Sequence, residues 1–593
     1  MLPSRTSAPS TPGTDALLCL LVGAVGAAAT FASLTWVSGN LGNLCTGDGS
    51  WATFHATAAV VRPGVLWPGL GPLALLVWVR IVPGLATLAI AATAVATWLR
   101  TRNSGNGLAR RAELAPLLAK GVAVRAQTLR PSLAGRSWKE VAPDDRGLLL
   151  GTRSPGRVEV RASWEDVLLA IMAPRSGKTS ALAIPLILAA PGPVLLTSNK
   201  AANDAFTATF GARAGVGRVW TFDPQQIAHH PRRMWWDILA DARDFAGAKR
   251  LAGHFLAASV DESRGSDFWS TAAANTLAAL FLAAASHRRP VTDVLAWLAS
   301  PADRTPVDLL ADAGHDAVAA QLRGTVSGAT ETRDGIYETA RQYASCLLDP
   351  EVAAWVIPDK EVPQFDPSAF ATSRDTLYLL SKEGGASAKA VVAAAADAVM
   401  RAAVTVAEGS GGRLDPPALC VLDEAANVCR ITDLPDLYSH LGSRGVIPVT
   451  ILQSYRQGQT VWGEAGMDAL WSAATIKVIG SGIDDADFAD RLSRLIGDHD
   501  VPTTSVTDSA SGRSTSVSTR TERILPPDAV RALSKGRALL FATGIRPALL
   551  TLTPWYQGPA AKVIASASRA ATAAITERAR ARTARPDGRS SVS

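Results

Sequence analysis

Cysteine is scarce in this chain. Cys19, Cys45, Cys346, Cys420 and Cys429 are spread over 593 positions with the spacing of neither a zinc site nor a disulfide framework. They read as reduced core or loop residues, which excludes small cross-linked scaffolds and thiolate metal centres. Lysine is sparse too: arginine far outnumbers it, and alanine abounds, as in proteins of high-GC genomes such as the actinobacterial ones. A large charge excess is also missing. The formal net charge is +7, which permits contact with nucleic acid or anionic lipid without requiring either. The surplus crowds two places, Arg100, Arg102, Arg110 and Arg111 at one junction and Arg569, Arg578, Arg580, Arg582, Arg585 and Arg589 at the end. No base-reading motif is present, so any nucleic-acid contact is expected through phosphates and should weaken with salt.

Long apolar runs are present, by contrast. Residues 1–14 are rich in Pro, Ser and Thr and are expected to be disordered. Ala16 to Val37 then continues without a charge, long enough to cross roughly 30 Å of hydrocarbon and too long for a signal-peptide core. A second apolar stretch, Val65 to Leu99, is expected to be broken by Arg80 and Pro83, leaving Ile81 to Leu99 as its better span. Arg80 would snorkel to the outer interface and Trp98 would sit at the inner one. The basic cluster that follows places the bulk of the chain in the cytoplasm, so residues 15–99 read as a transmembrane hairpin in the cell membrane. Residues 39–64, with Asn40, Asn43, Asp48 and His55, would be the sizeable part outside.

Downstream, Val167 to Ile171 is a strand-like run, Ser180 to Ala190 is helix-like, and Met172-Ala173-Pro174-Arg175-Ser176-Gly177-Lys178-Thr179 lies between them. Strand, loop and helix in that order form a phosphate-binding loop, whose backbone N–H groups point into one concavity at the helix's positive end. Pro174, Arg175, Ser176, Gly177, Lys178 and Thr179 would cradle ATP. Lys178 would reach its β- and γ-phosphates and Thr179 would ligate Mg²⁺. The usual glycine at the first position is Met172 here, which is expected to reshape the start of the loop. A second strand-like run, Ala418 to Leu422, ends in Asp423-Glu424. Carboxylates at the tip of a parallel strand suit metal and water chemistry: Asp423 would support Mg²⁺, and Glu424 would orient and polarise the attacking water. An acidic pair that only caps the next helix is the plainer alternative.

Strand-like runs recur at Arg157 to Val160, Val194 to Thr197, Val219 to Phe222, Thr376 to Leu380, Pro448 to Leu452, Thr475 to Ile479, Ala538 to Phe541 and Ala548 to Leu552. Alternating with helices, they indicate a parallel α/β sheet over 155–236 and 365–556. Gln453, closing one of these runs, would sense the γ-phosphate. Residues 237–350 have helical spacing throughout and read as an inserted all-α domain. Residues 100–154 read as a cytoplasmic linker with a short helix around Leu108 to Lys120, residues 502–522 as a solvated insertion, and 557–593 as a flexible basic tail with room for one amphipathic helix.

Four features together resemble the type IV secretion coupling proteins, membrane-anchored ATPases of conjugative DNA transfer. They are the twin apolar spans, the Pro174 to Thr179 loop, the Phe222-Asp223-Pro224 turn, and Leu422-Asp423-Glu424-Ala425-Ala426-Asn427 followed by Gly442-Ser443-Arg444-Gly445-Val446 and Ile451-Leu452-Gln453-Ser454. The resemblance implies a RecA-like P-loop domain assembled as a homo-hexamer, which links a relaxase and its DNA to the secretion channel and hydrolyses ATP. Two departures stand out. Ser198-Asn199-Lys200 replaces an Asp-x-Lys pattern, and Gly442 occupies the place of an arginine that acts across the subunit boundary, for which Arg444 is the candidate substitute. Rival readings are a septum-type translocase of double-stranded DNA, whose usual winged-helix reader does not fit the short tail, and a nucleotide-binding docking receptor for secreted proteins.

Overall fold

The computed structural model describes residues 12–103, 107–154, 156–259, 268–382, 388–509 and 512–583. It comprises two units, residues 1–106 and 107–593. The segment 1–11, expected to be disordered, lies outside the described residues, as do Arg585 and Arg589 and the side chains of Arg100 and Arg102.

In the first unit the helix Pro12–Thr46 runs beyond the apolar span and carries Asn40 and Asn43, both buried. Asn40 Oδ1 accepts from the Ala52 N–H at 2.8 Å and from Trp67 Nε1 at 3.1 Å, and Asn43 Nδ2 donates to Asp48 Oδ1 at 2.7 Å. Expected as an exposed loop, this polar stretch is instead stitched to the helix end. Arg80 and Pro83 do not break the second apolar stretch. Helix continues from Pro72 to Asn103 through a π-helical turn at Val77–Ile81. Pro83 has no N–H to give the preceding turn, and the widened turn just ahead accommodates the missing bond. Residues Pro72–Val95 are long and apolar enough to cross a membrane, and only 11% of that window is buried within protein.

The second unit is built on strands β1 (Leu148–Arg153), β2 (Glu159–Ala162), β3 (Leu168–Ile171), β4 (Val194–Ser198), β5 (Val219–Phe222), β6 (Thr376–Leu380), β7 (Ala418–Leu422), β8 (Val446–Leu452), β9 (Ile476–Ile479), β10 (Asp498–Ser509), β11 (Gly512–Arg523), β12 (Arg537–Ala542) and β13 (Ala548–Thr551). Among the described residues, eleven of these form one sheet in the order β2-β1-β13-β12-β9-β3-β8-β7-β4-β6-β5. From β9 to β5 every pairing is parallel, whereas β12, β13, β1 and β2 add an antiparallel margin. β3, β4, β6, β7 and β8 are buried along their whole length, as strands covered by helices on both faces must be. The architecture is mixed α/β with a large, mostly parallel sheet.

β1 falls inside the expected linker, so the sheet domain starts earlier than the composition suggests. The short helix expected around Leu108 to Lys120 lies instead at Ala119–Leu129. Pro116 sits in a 3₁₀ turn, Ala115–Leu117, and cannot stand inside a helix without costing a hydrogen bond. Between β5 and β6 the described chain is helical from Phe245 to Ala353 apart from short connections. Phe268–Ser286 and Lys389–Gly409 also have the length and apolarity of membrane spans, but 61% and 72% of their windows are buried in this unit. Helices apolar all round are core helices here.

The stretch expected as a solvated insertion is strand where it is described. Residues 502–509 and 512–522 belong to the β10–β11 pair, registered from Asp498 opposite Arg523 to Ser509 opposite Gly512, and their many threonines favour that form. The tail holds the one amphipathic helix allowed for it, but docked, not mobile. Ala561–Thr583 is a helix with Ile564 and Ile575 buried, and Ser568 Oγ donates to Thr207 Oγ1 at 3.1 Å. Ile564, Ser568 and Ile575 share one face, which docks the helix instead of leaving it free.

Candidate active site

Parallel strands carry their loops to one edge, and the phosphate loop sits there because β3 is central, between β8 and β9. The Met172 side chain at the start of the loop is buried and lies against Gly480, where an added Cβ would stand 2.8 Å from it. The Met172 N–H donates to the Leu452 carbonyl at 2.9 Å, so the loop begins pinned to β8. Gly177 has φ 99°, a conformation that only glycine adopts freely, and Arg175 has φ 63°. Ser176 is turned inward, its Oγ donating to the Ala173 carbonyl at 2.6 Å, while Pro174 and Arg175 are exposed.

Lys178 and Glu424 form a buried ion pair although 246 positions separate them. Thr179 Oγ1 donates to Asp423 Oδ2 at 3.1 Å. The sheet order explains the reach: β7 lies one strand away from β3, across β8, so its tip faces the loop from the side. Glu424 takes left-handed backbone angles, φ 56° and ψ 39°, at the start of the helix Ala425–Val428, and this turns its carboxylate inward. Such angles are uncommon outside glycine and asparagine, and are held here by the surrounding bonds. Burial pushes the Asp423 carboxyl up to about 6, against the pull of Lys178, with Glu424 and Asp204 adding to the rise and the Thr179 hydrogen bond opposing it.

Gln453, at the tip of β8, donates through Nε2 to Glu424 Oε2, and Asn427 Nδ2 donates to the same oxygen at 3.2 Å. Gln457 closes a ring of amides: its Oε1 accepts from the Gln453 N–H at 3.0 Å, and its Nε2 donates to Asn427 Oδ1 at 2.9 Å. Asn427 belongs to the Leu422 to Asn427 motif but had no role assigned from sequence, and Gln457 lies outside the motifs. Only the four-residue step from Gln453 to Gln457, one helical turn, hinted at the second. Asp204 is a further addition. It accepts from the Ala205 N–H at 2.8 Å, and its carboxyl is raised by burial, offset by that bond and by Lys200 and Lys178. It brings a carboxylate near the place where the Ser198-Asn199-Lys200 pattern lacks one.

One expected contributor, Arg444, stands apart, and so does Asp223 of the Phe222-Asp223-Pro224 turn, to which no role in the site was assigned. The Asp223 carboxylate accepts from the Ile227, Ala228 and His230 N–H groups at 2.6, 2.9 and 3.2 Å, so it shapes its own turn. Arg444 lies before β8, at the opposite end of that strand from Gln453. There its guanidinium pairs with Glu408 at 3.4 Å and donates to the Gly412 carbonyl. Within one chain it does not enter the site. Gly442 is fixed by packing, because a Cβ there would come within 2.1 Å of the Glu165 carbonyl oxygen, leaving no room for an arginine.

Residues 417–535 match the family described as the TraM recognition site of TraD and TraG. That stretch holds β7, Asp423, Glu424, Gln453 and the β10–β11 pair, so the resemblance to type IV coupling proteins is shown where the site carboxylates lie. No curated protein matches the chain. Among solved structures, the bacterial conjugative coupling protein TrwBdeltaN70 in its unbound monoclinic form is similar at 18% identity, over 72% of this chain and 92% of its own, with a TM-score of 0.49. The plasmid coupling protein TrwB in complex with ADP and Mg²⁺ is similar at 18% identity, over 72% and 91%, with a TM-score of 0.49. VirB4 of Thermoanaerobacter pseudethanolicus is similar at 13% identity, over 70% and 98%, with a TM-score of 0.39.

Proposed function

We propose that the protein is a membrane-anchored ATPase that passes relaxase-bound DNA to a type IV secretion channel, working as a homo-hexamer. The observation that carries this reading is the convergence of Lys178, Thr179, Asp423, Glu424 and Gln453, from three separated segments, on one buried point at the strand tips. The match over residues 417–535 directs the motor to conjugation, and Pro72–Val95 supplies a segment able to anchor it.

The donor set fits Mg²⁺ and a triphosphate, since a hydroxyl and a buried carboxylate lie 3.1 Å apart beside a lysine. Mg²⁺, held by Thr179 and Asp423, would draw charge from the phosphate oxygens. In the resting chain Lys178 neutralises Glu424. A γ-phosphate offers the lysine a more highly charged partner, and Glu424 then keeps Gln453 and Asn427 as donors while its carboxylate accepts a proton from water. Loss of the phosphate returns Lys178 to Glu424. The amides at 453, 427 and 457 feel that exchange and relay it into the helix Tyr455–Ala473.

Single-stranded DNA should stimulate ATP hydrolysis by the full chain, and the stimulation should fade as salt rises. Stimulation by duplex alone would favour a double-stranded translocase. One observation favours a second reading, a docking receptor that hydrolyses slowly: packed Gly442 removes the usual site of the trans-acting arginine. Nucleotide binding without measurable turnover, with or without DNA, would select it.

A further inference from the structure

Residues 48–55, which form neither helix nor strand, turn back onto the first helix instead of leading away from it. Trp36, inside the apolar span, meets the Trp51 ring edge-to-face with centroids 5.8 Å apart and the Phe54 ring likewise at 5.4 Å. Two residues beyond Trp36, the Ser38 hydroxyl donates to the Trp78 carbonyl, and a Cβ added at Gly42 would stand 2.5 Å from the Trp78 ring. Trp78 is itself inside the apolar window Pro72–Val95, roughly 9 Å along the helix from its start. Residues 51–54 therefore touch the first helix close to where it meets the second apolar helix, not past the end of either.

Backbone at such a depth has no water to bond and must be satisfied by protein. Polar side chains of the first helix take that task. Asn40 grips Ala52 from both sides: its Oδ1 accepts from the Ala52 N–H at 2.8 Å and its Nδ2 donates to the Ala52 carbonyl at 3.4 Å, where Trp36 Nε1 also donates at 3.0 Å. Asn43 Nδ2 donates to the Ser50 carbonyl at 2.8 Å, and the Asn43 carbonyl accepts from the Gly47 and Gly49 N–H groups at 3.0 and 3.2 Å. Asp48, the one charged residue between Gly47 and Phe54, accepts from Asn43 Nδ2 and from Ser50 Oγ, both at 2.7 Å.

The outward side is the reverse. Trp51 and Phe54 are 52% and 50% exposed, and Leu41, Leu44, Leu73 and Leu76 of the two helices are exposed with them. The chain is described from Pro12 through Asn103, and Pro12 lies roughly 36 Å along the helix from Trp36. Resting on the reading of Pro72–Val95 as a membrane span, we propose that residues 50–54 re-enter the interfacial layer of the bilayer, where Trp51 and Phe54 pack against lipid while Asn40 and Trp36 hold the backbone behind them. Amphipathic aromatic rings favour that layer, and the bonded backbone removes the cost of leaving water.

Nitroxide labels on Trp51→Cys and Phe54→Cys, with Leu88→Cys as a reference inside the span, test this in the full chain reconstituted into phosphatidylcholine and phosphatidylglycerol vesicles. Cys19, Cys45 and Cys346 are replaced by alanine, the buried Cys420 and Cys429 are kept, and the melting temperature of each variant is recorded. Power-saturation electron paramagnetic resonance then compares collisions with oxygen, which concentrates in lipid, and with a water-soluble nickel chelate. Oxygen should exceed nickel about twofold or more at 51 and 54, by less than at 88, as befits interfacial depth. Adding Asn40→Ala should shift 51 and 54 about twofold or more towards nickel, since the freed Ala52 backbone seeks water, and leave 88 unmoved. With 88 reading lipid, nickel exceeding oxygen at 51 and 54 would make the segment a solvated loop, and low collision with both reagents would bury it against protein, such as a second copy. Either result overturns the proposal and leaves the span standing, whereas nickel access at 88 would sink the anchor reading itself.

Discussion

Strand β8 joins two unlike ends of the molecule. Its C-terminal tip leads into Gln453 and a buried cluster in which Lys178, Glu424, Asn427 and Gln457 satisfy one another. Its N-terminal end follows Gly442-Ser443-Arg444, where charges pair at the surface and a glycine is pressed against the Glu165 backbone. Both ends carry an arginine or lysine facing a glutamate, so residue type alone does not distinguish them. Burial does. Exposed pairs contribute about 0–1 kcal/mol, whereas a buried pair stands on a desolvation cost of several kcal/mol and punishes the loss of either partner. On the proposed reading one end is a ligand site, and the other is scaffold.

The largest expected effect falls at the buried end. Glu424→Gln should lower turnover by roughly 10²–10⁴-fold, the usual range for a lost general base, while retaining bound nucleotide, as read by rapid-quench hydrolysis beside a filter-binding assay. Turnover near wild type would strip Glu424 of its assigned task. Next comes pH. The Asp423 carboxyl is raised to about 6, first by burial. It is therefore protonated in the free protein below that pH and cannot serve a cation, so affinity for Mg-nucleotide should drop about tenfold per unit as pH falls below 6. For folding the sign is reversed, because a raised carboxyl contributes stability below the unfolded value of 3.8 that is lost as pH rises through about 6. Constant affinity between pH 5 and pH 7 would place the cation elsewhere. A smaller change is expected from Asn427→Ala, which leaves Glu424 in place but loosens it: kcat should fall roughly tenfold, about 1.4 kcal/mol, with KM little changed. The smallest concerns the scaffold end. Arg444→Ala should hold turnover within about twofold, as loss of a surface pair allows. A fall near 10³-fold would instead put Arg444 in a neighbouring subunit's site, erasing the contrast between the two ends.

Much of the buried end was legible in the chain. The run from Val167 through Thr179 and the acidic tip after Leu422 announce a phosphate loop and its carboxylates, because strand, loop and helix signals are local and their order is visible. Legibility failed where the deciding contact is long-range. That Gly480 makes room for Met172, that Gly442 is filled by Glu165, and that Gln457 locks Asn427 are facts of packing between segments far apart in sequence. The tail misled for a related reason. Alanine and arginine look solvated in composition, yet Ile564 and Ile575 are enough to dock the helix once Thr207 and its neighbours provide a face. Proline gave opposite outcomes at two sites. Pro116 kept the expected helix from forming across it and left a 3₁₀ turn, whereas the π-turn at Val77–Ile81 let the chain run past Pro83.

The central claim is that Lys178 and the paired acids converge on a magnesium-bound triphosphate. Steady-state ATP hydrolysis by the full-length protein in detergent, compared with that of Lys178→Ala at matched folding, tests it most directly. Mg²⁺-dependent turnover is expected, lowered by the substitution by about 10²-fold or more, since a lost charge-stabilising contact at the transition state costs that much. Equal turnover in the two proteins would contradict it.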